Sequence, residues 1–113
     1  MSERHTTSTQ RLAHALLNSP GDTDTITRRA VEEYCARLSG SSTRTAADIP
    51  IDLANYLNKL ALHAYKTTDE DIQTLRQAGY SEDAIFEITL SAALGAGMGR
   101  LERGLSALKG EQG

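Results

Sequence analysis

The feature that most constrains the fold is a long C-terminal helix whose middle carries no charge. Ser81 is a residue type that caps helices, and the helix predicted from it extends from Glu82 to about Leu108. From Ile88 to Gly99 no face of this helix bears a charged side chain. A helix that is apolar all round is buried all round. In a chain of 113 residues the other helices can cover one side, so we expect a second subunit to cover the other.

Small residues in this helix indicate close packing of backbones. Each glycine inside a helix costs about 1 kcal/mol relative to alanine, so close approach of a neighbouring helix must offset it. The glycines do not follow a predicted strand and lack the G-x-G-x-x-G spacing, so they do not indicate a dinucleotide loop. A break of the helix near Gly97 is the alternative. We therefore predict a homo-oligomer with an interface at Ala92, Ala93, Gly95, Ala96, Gly97 and Gly99.

The rest of the chain predicts shorter helices, so the expected fold is an all-α bundle of about five helices. In the second helix, residues spaced by four are expected to face inward: Ile26, Ala30, Tyr34 and Leu38. In the third helix the inward-facing residues follow the i, i+1, i+4, i+7, i+8, i+11 pattern of an amphipathic helix: Leu53, Ala54, Leu57, Leu60, Ala61 and Ala64. We expect a flexible tail over 1–9 and one domain over 10–110, made of N-terminal helices over 10–39 (the first over 10–18), a linker over 40–49 and a C-terminal part over 50–110.

The turn before the long helix has a specific signature. Thr68 is a suitable N-cap for the fourth helix, and Gly79 can adopt the left-handed conformation that ends it. Ser81 then caps the next helix. Tyr80, between Gly79 and Ser81, is placed to pack on both helices. One aromatic side chain is therefore predicted to join two helices through a tight turn.

Composition narrows the classes of function. Twelve basic residues against fifteen acidic ones give a net charge of −3, without the clustered cations that nucleic acid or an anionic membrane would need. Cys35 is the single cysteine, so no internal disulfide can form. The first ten residues have no apolar segment typical of a signal peptide, and the uncharged run is shorter than a membrane helix. We expect a cytoplasmic protein that binds neither nucleic acid nor membrane.

No complete catalytic, metal or cofactor constellation is present in the sequence, so we predict no metal and no cofactor. Cys35 follows two glutamates, which would raise its thiol pKa and blunt it as a nucleophile. His63 and Tyr65 are the weak catalytic candidates, although no carboxylate lies four residues from His63 to orient it. The acidic run from Asp69 to Asp71 does not have calcium-loop spacing and is explained by helix capping.

The C-terminal half resembles the alkylhydroperoxidase D-like and carboxymuconolactone decarboxylase-like superfamily. The residues that carry the resemblance are Thr67-Thr68-Asp69-Glu70-Asp71-Ile72, the stretch from Leu75 to Glu87 with its Ala-Gly turn and Ser cap, and the small-residue helix from Ala92 to Arg100. The resemblance covers about half the chain. It implies an all-α fold and assembly as a dimer, trimer or hexamer.

The same resemblance indicates that this chain lacks the thiol-dependent peroxidase activity of the family. The peroxidatic members use a C-x-x-C pair followed by a histidine, and the segment from Leu53 to Lys66 contains no cysteine. Three functions therefore stay open. The chain is a non-catalytic or degenerate oligomeric member of the family, accessory to a redox enzyme; or a cysteine-independent decarboxylase-like enzyme with an interface pocket near His63; or a helical module that binds a protein partner.

Overall fold

The structure, a computed structural model, describes residues 3–45 and 47–110. Within those residues there are five α-helices, one short 3₁₀ helix and no strand, which confirms the predicted all-α class. The helices are α1 (Glu3–Asn18), α2 (Thr25–Leu38), α3 (Ile51–Leu62), α4 (Asp69–Gln77) and α5 (Glu82–Leu108), with the 3₁₀ turn at Ala64–Lys66 between α3 and α4.

The helix boundaries differ from the sequence prediction at two places. The first helix begins at Glu3 rather than Gln10, while the flexibility expected for residues 1–9 stays a prediction. The third helix ends at Leu62, with His63 as its C-cap, and Ala64 lies exposed in the 3₁₀ turn. α5 is continuous through Gly97, so the break considered at that residue is absent.

The predicted inward face of α2 is wrong at Ile26, while Tyr34 and Leu38 are partly buried and pack against the core. Ile26 is 78% exposed, whereas Val31 and Cys35 are completely buried. The predicted stripe also left out two charged residues, Arg28 and Glu32, which are buried on the same side as Val31. They can be buried because each has polar partners, which is the condition for placing charge inside a protein. Arg28 donates to the carbonyl oxygens of Leu16 and Ser19, and Glu32 pairs with Arg44.

The core lies where α2, α3 and α5 meet, and α4 covers one end of it. Its fully buried side chains come from four helices: Val31 and Cys35 of α2, Leu53 and Leu57 of α3, Leu75 of α4, and Ile88 of α5. The stripe predicted for α3 is therefore confirmed at Leu53, Leu57 and Ala61. Tyr56, which the stripe omitted, is also buried, and its hydroxyl is 2.7 Å from the Thr89 hydroxyl on α5.

The turn between α4 and α5 has the predicted geometry. Gly79 has a positive φ of 104°, and the amides of Gly79 and Tyr80 donate to the carbonyls of Arg76 and Leu75, which is the Schellman arrangement. Ser81 accepts a hydrogen bond from the amide of Ala84 at 3.0 Å and so caps α5. The orientation of α5 relative to α4 is thus set by local sequence.

α5 packs mainly on α2 and to a smaller extent on α3. By length and composition alone α5 could also cross a membrane, although the uncharged run from Ile88 to Gly99 predicted no such helix. In this structure 44% of its apolar window is buried inside the fold. The core helix of a soluble protein can pass the same test of length and composition.

Candidate functional site

Two small residues of α5 set the distance between α5 and α2. A Cβ atom added to Gly95 would overlap the backbone oxygen of Glu32, and one added to Gly99 would overlap that of Ala36. Close backbone approach therefore offsets the cost of these glycines, as the sequence predicted, but the neighbour is a helix of the same chain. Four of the six residues predicted for a subunit interface lie on this buried side: Ala92, Gly95, Ala96 and Gly99.

The other two predicted interface residues, Ala93 and Gly97, lie on the opposite side of α5 and are exposed. A Cβ atom at Gly97 would have no neighbour within 4 Å. The same side carries large apolar groups, with Phe86 63% exposed and Leu108 85% exposed. We call this surface the exposed α5 face. It is defined by one half-buried residue, Leu101, and six exposed ones: Phe86, Leu90, Ala93, Gly97, Gly104 and Leu108.

The geometry of a helix explains why these seven residues share one surface. At 3.6 residues per turn, all of them point within about 40° of the direction of Gly97. The buried residues Ile88, Ala92, Gly95 and Gly99 point the opposite way. The exposed α5 face is therefore an apolar strip from Phe86 to Leu108, about 33 Å long at 1.5 Å per residue. No member of the strip is charged.

His63 and Tyr65 lie together on the surface. Both are exposed, Tyr65 by 82%, and their rings meet edge to face with centroids 6.0 Å apart. The ammonium group of Lys66 lies 5.9 Å from the Tyr65 ring. Three surface cavities of about 390, 370 and 330 Å³ occur elsewhere, and their walls include neither aromatic residue of this pair.

Cys35 is fully buried in the core. Burial, together with the negative charge of Glu32, raises the pKa of its thiol to about 12. A thiol with this pKa is protonated at neutral pH and is a poor nucleophile. Among the residues that the structure describes, no group of three histidine, cysteine, aspartate or glutamate side chains could hold a metal ion.

An ion cluster around Arg44 is the polar site that the sequence did not reveal. The Arg44 guanidinium contacts the carboxylates of Glu32, Glu33 and Glu102, with Nη2 2.9 Å from Glu32 Oε2 and 2.9 Å from Glu102 Oε2. Ser41 donates to Glu102 at 2.8 Å. The segment predicted as a linker is thus anchored to both α2 and α5. Only the fold brings Arg44 next to Glu102, and no spacing in the sequence signals that contact.

The charges in this cluster stabilise one another. Hydrogen bonds to Glu32 and Glu102 outweigh partial burial and raise the pKa of Arg44 further above its already high value. Burial alone would raise the pKa of Glu102, but hydrogen bonds and the positive charge of Arg44 outweigh it, so this pKa is lowered. Both shifts favour the charged forms of Arg44 and Glu102. They hold a loop against two helices, which is a structural role.

A second carboxylate anchors the loop before α2. Glu87 on α5 accepts hydrogen bonds from the backbone amides of Asp22 and Thr23, at 2.9 and 2.8 Å. Desolvation alone would raise the pKa of Glu87, but these two hydrogen bonds outweigh it, so the pKa of Glu87 is lowered. Its spatial partners lie more than sixty residues away, so sequence spacing could not reveal them.

Comparison of this chain with protein-family models, curated proteins and solved structures gives no match. The polar groups described above are used within the fold, and the predicted catalytic pair is exposed to solvent. The exposed α5 face presents uncharged apolar and small side chains, most of them exposed, along the length of α5.

Proposed function

We propose that this protein is a non-catalytic, self-associating helical module whose exposed α5 face binds a second copy of the chain. The observation that carries the proposal is the apolar strip from Phe86 to Leu108, which lies on the surface of the fold. Contiguous exposed apolar surface of this extent marks an interaction site in soluble proteins. Singly scattered apolar residues, such as Ile26 on α2, do not have this meaning.

The glycines of the strip support a helix as the occupant. Gly97 and Gly104 each cost about 1 kcal/mol relative to alanine in a helix interior. Unlike Gly95 and Gly99, they have no neighbour within 4 Å of an added Cβ in the single chain. A second helix approaching closely over Gly97 would offset that cost in the way that α2 does on the buried side.

The candidate catalytic residues favour a role without chemistry. His63 and Tyr65 are exposed, and Cys35 is buried and protonated. A general base needs a substrate proton within hydrogen-bond reach, and in the single chain the side chains of His63 and Tyr65 face solvent. Relationship to the alkylhydroperoxidase D-like superfamily, and a role as accessory to a redox enzyme, stay predictions that rest on the sequence motifs. A cytoplasmic location belongs to the same proposal.

The proposal is tested by placing a charge in the strip. Leu90 is 39% exposed, and Leu90→Glu would bury a carboxylate without a partner if two copies meet there. We expect wild type to be oligomeric at micromolar concentration and Leu90→Glu to be monomeric, measured by size exclusion with light scattering. Ile51→Glu is the matched control, because Ile51 is 93% exposed and lies on α3. A monomeric wild type, or an oligomeric Leu90→Glu protein, would contradict the proposal.

A further inference from the structure

We infer that two copies pair their α5 helices antiparallel, with the two-fold axis of the dimer passing beside Gly97. This inference rests on the proposed self-association through the exposed α5 face. In such a dimer, residues that face each other across the interface lie at equal distances from Gly97 along the two helices. The interface is therefore made of the same strip twice, as two-fold symmetry requires.

The sizes of the side chains along the strip favour this register. Moving outward from Gly97, Ala93 faces the partner's Leu101, and Leu90 faces the partner's Gly104. At each of these levels a large side chain meets a small one. Phe86 faces the partner's Leu108 at each end of the strip. The strip is thus complementary to its own reversed copy.

The parallel arrangement lacks this complementarity. Each residue would then face its own copy, so that Leu90 meets Leu90 and Leu101 meets Leu101, while Ala93 and Gly97 between them face only small groups. The leucines would hold the helices apart and leave a void at the centre. Protein interiors are close-packed, and a void of this kind costs the contacts that its lining loses.

Charge favours the same direction. The first turn of α5 carries Glu82 and Asp83, and Lys109 follows its last turn; all three are exposed. Antiparallel pairing brings the acidic turn of each helix toward Lys109 of the other and also sets the two helix dipoles in opposition. Parallel pairing would place acidic turns side by side.

Disulfide trapping distinguishes the two directions. In the antiparallel register the two copies of residue 93 lie about 12 Å apart along the axis, because eight residues separate them at 1.5 Å each. A disulfide needs Cα atoms closer than about 7 Å. Ala93→Cys alone and Leu101→Cys alone should therefore stay monomeric under mild oxidation on non-reducing gels, whereas the double variant Ala93→Cys/Leu101→Cys should give mostly covalent dimer.

Two controls accompany this test. Wild type controls for Cys35, which is fully buried in the folded chain. Ala93→Cys/Gln73→Cys has the same number of added thiols, with Gln73 exposed on α4, outside the strip. Light scattering on reduced samples establishes which variants remain oligomeric before oxidation.

The outcomes of the disulfide experiment distinguish the antiparallel register from self-association itself. Covalent dimer from the double variant only supports the antiparallel register. Covalent dimer from Ala93→Cys alone overturns the register in favour of parallel pairing and leaves the proposed function standing. The register is also wrong if light scattering shows a noncovalent dimer but oxidation of Ala93→Cys/Leu101→Cys gives no more covalent dimer than oxidation of Ala93→Cys/Gln73→Cys. A monomeric wild type overturns both the register and the proposed function.

Discussion

At the scale of single residues, the glycines of α5 differ in what surrounds them, and substitution by alanine should reveal it. Gly95→Ala would press a methyl group against the Glu32 carbonyl, so we expect a loss of about 1–3 kcal/mol in the free energy of unfolding, the range for overpacking. Gly97→Ala has open space and should gain up to about 1 kcal/mol from helix propensity. Urea unfolding in the monomeric Leu90→Glu background compares the two substitutions. If both changed the free energy of unfolding by the same amount, α2 would not approach Gly95 as closely as the structure shows.

Glu102 allows a second prediction at this scale. Glu102→Gln removes the charge that Arg44 pairs with, and we expect a loss of about 1–2 kcal/mol at pH 7, typical of hydrogen bonds to charged groups. The folded state lowers the pKa of Glu102 below its ordinary pKa of 4.5. The carboxylate therefore contributes to the free energy of unfolding above pH 4.5, and this contribution is lost as the pH falls through the lowered pKa. The stability gap between wild type and variant should therefore shrink below about pH 4.5.

Glu82→Gln is the control for this measurement. Its carboxylate also pairs with an arginine, Arg76, at 3.2 Å, but the Glu82 side chain is 76% exposed. Exposed pairs of this kind contribute about 0–1 kcal/mol. A loss for Glu102→Gln no greater than that for Glu82→Gln, or one that stays constant down to pH 3, would contradict the role assigned to the Arg44 cluster.

At the scale of elements, Tyr80 joins α4, α5 and α3. Its ring packs against the core, and its hydroxyl donates to Asp52 Oδ1 at 2.7 Å, a contact that the sequence did not predict. Tyr80→Ala should lower the free energy of unfolding by about 2–4 kcal/mol, as for a large side chain removed from a core. Tyr80→Phe keeps the ring and should cost only about 1 kcal/mol for the lost hydrogen bond. A Tyr80→Ala protein as stable as Tyr80→Phe would show that the ring does not hold this turn.

The contribution of Tyr80 to stability should also depend on pH in the alkaline range. Burial and the hydrogen bond to Asp52 raise the pKa of Tyr80 from 10 to about 12. Because the pKa of Tyr80 is higher in the folded state, the contribution of its hydroxyl to the free energy of unfolding is complete below pH 10. That contribution is lost as the pH rises through 12. The stability gap between wild type and Tyr80→Phe should therefore narrow over this interval, as denaturant unfolding at pH 9 to 12 would show.

At the scale of the whole molecule, Gly97→Leu tests assembly separately from folding. No atom of the single chain lies within 4 Å of a Cβ at this position, and leucine favours helix by about 1 kcal/mol over glycine. In the dimer two leucines would meet at the axis and push the helices apart. We expect a monomeric protein that remains folded by circular dichroism, while Gln77→Leu, an exposed site on α4, stays oligomeric. A Gly97→Leu protein that is oligomeric and melts higher would place Gly97 outside any contact.

Local chemistry in the sequence determined the helices, the caps at Thr68 and Ser81, the left-handed Gly79 and the α3 stripe, because each depends on residues within one or two turns. Only the tertiary structure decided which face of α2 is buried, that Gly95 and Gly99 pack on α2 of the same chain, and that Arg44 meets Glu102. Periodicity assigns charged residues to the outside. Arg28 and Glu32 lie inside because their partners come from distant segments, and the partner that makes burial of a charge favourable exists only once the chain has folded.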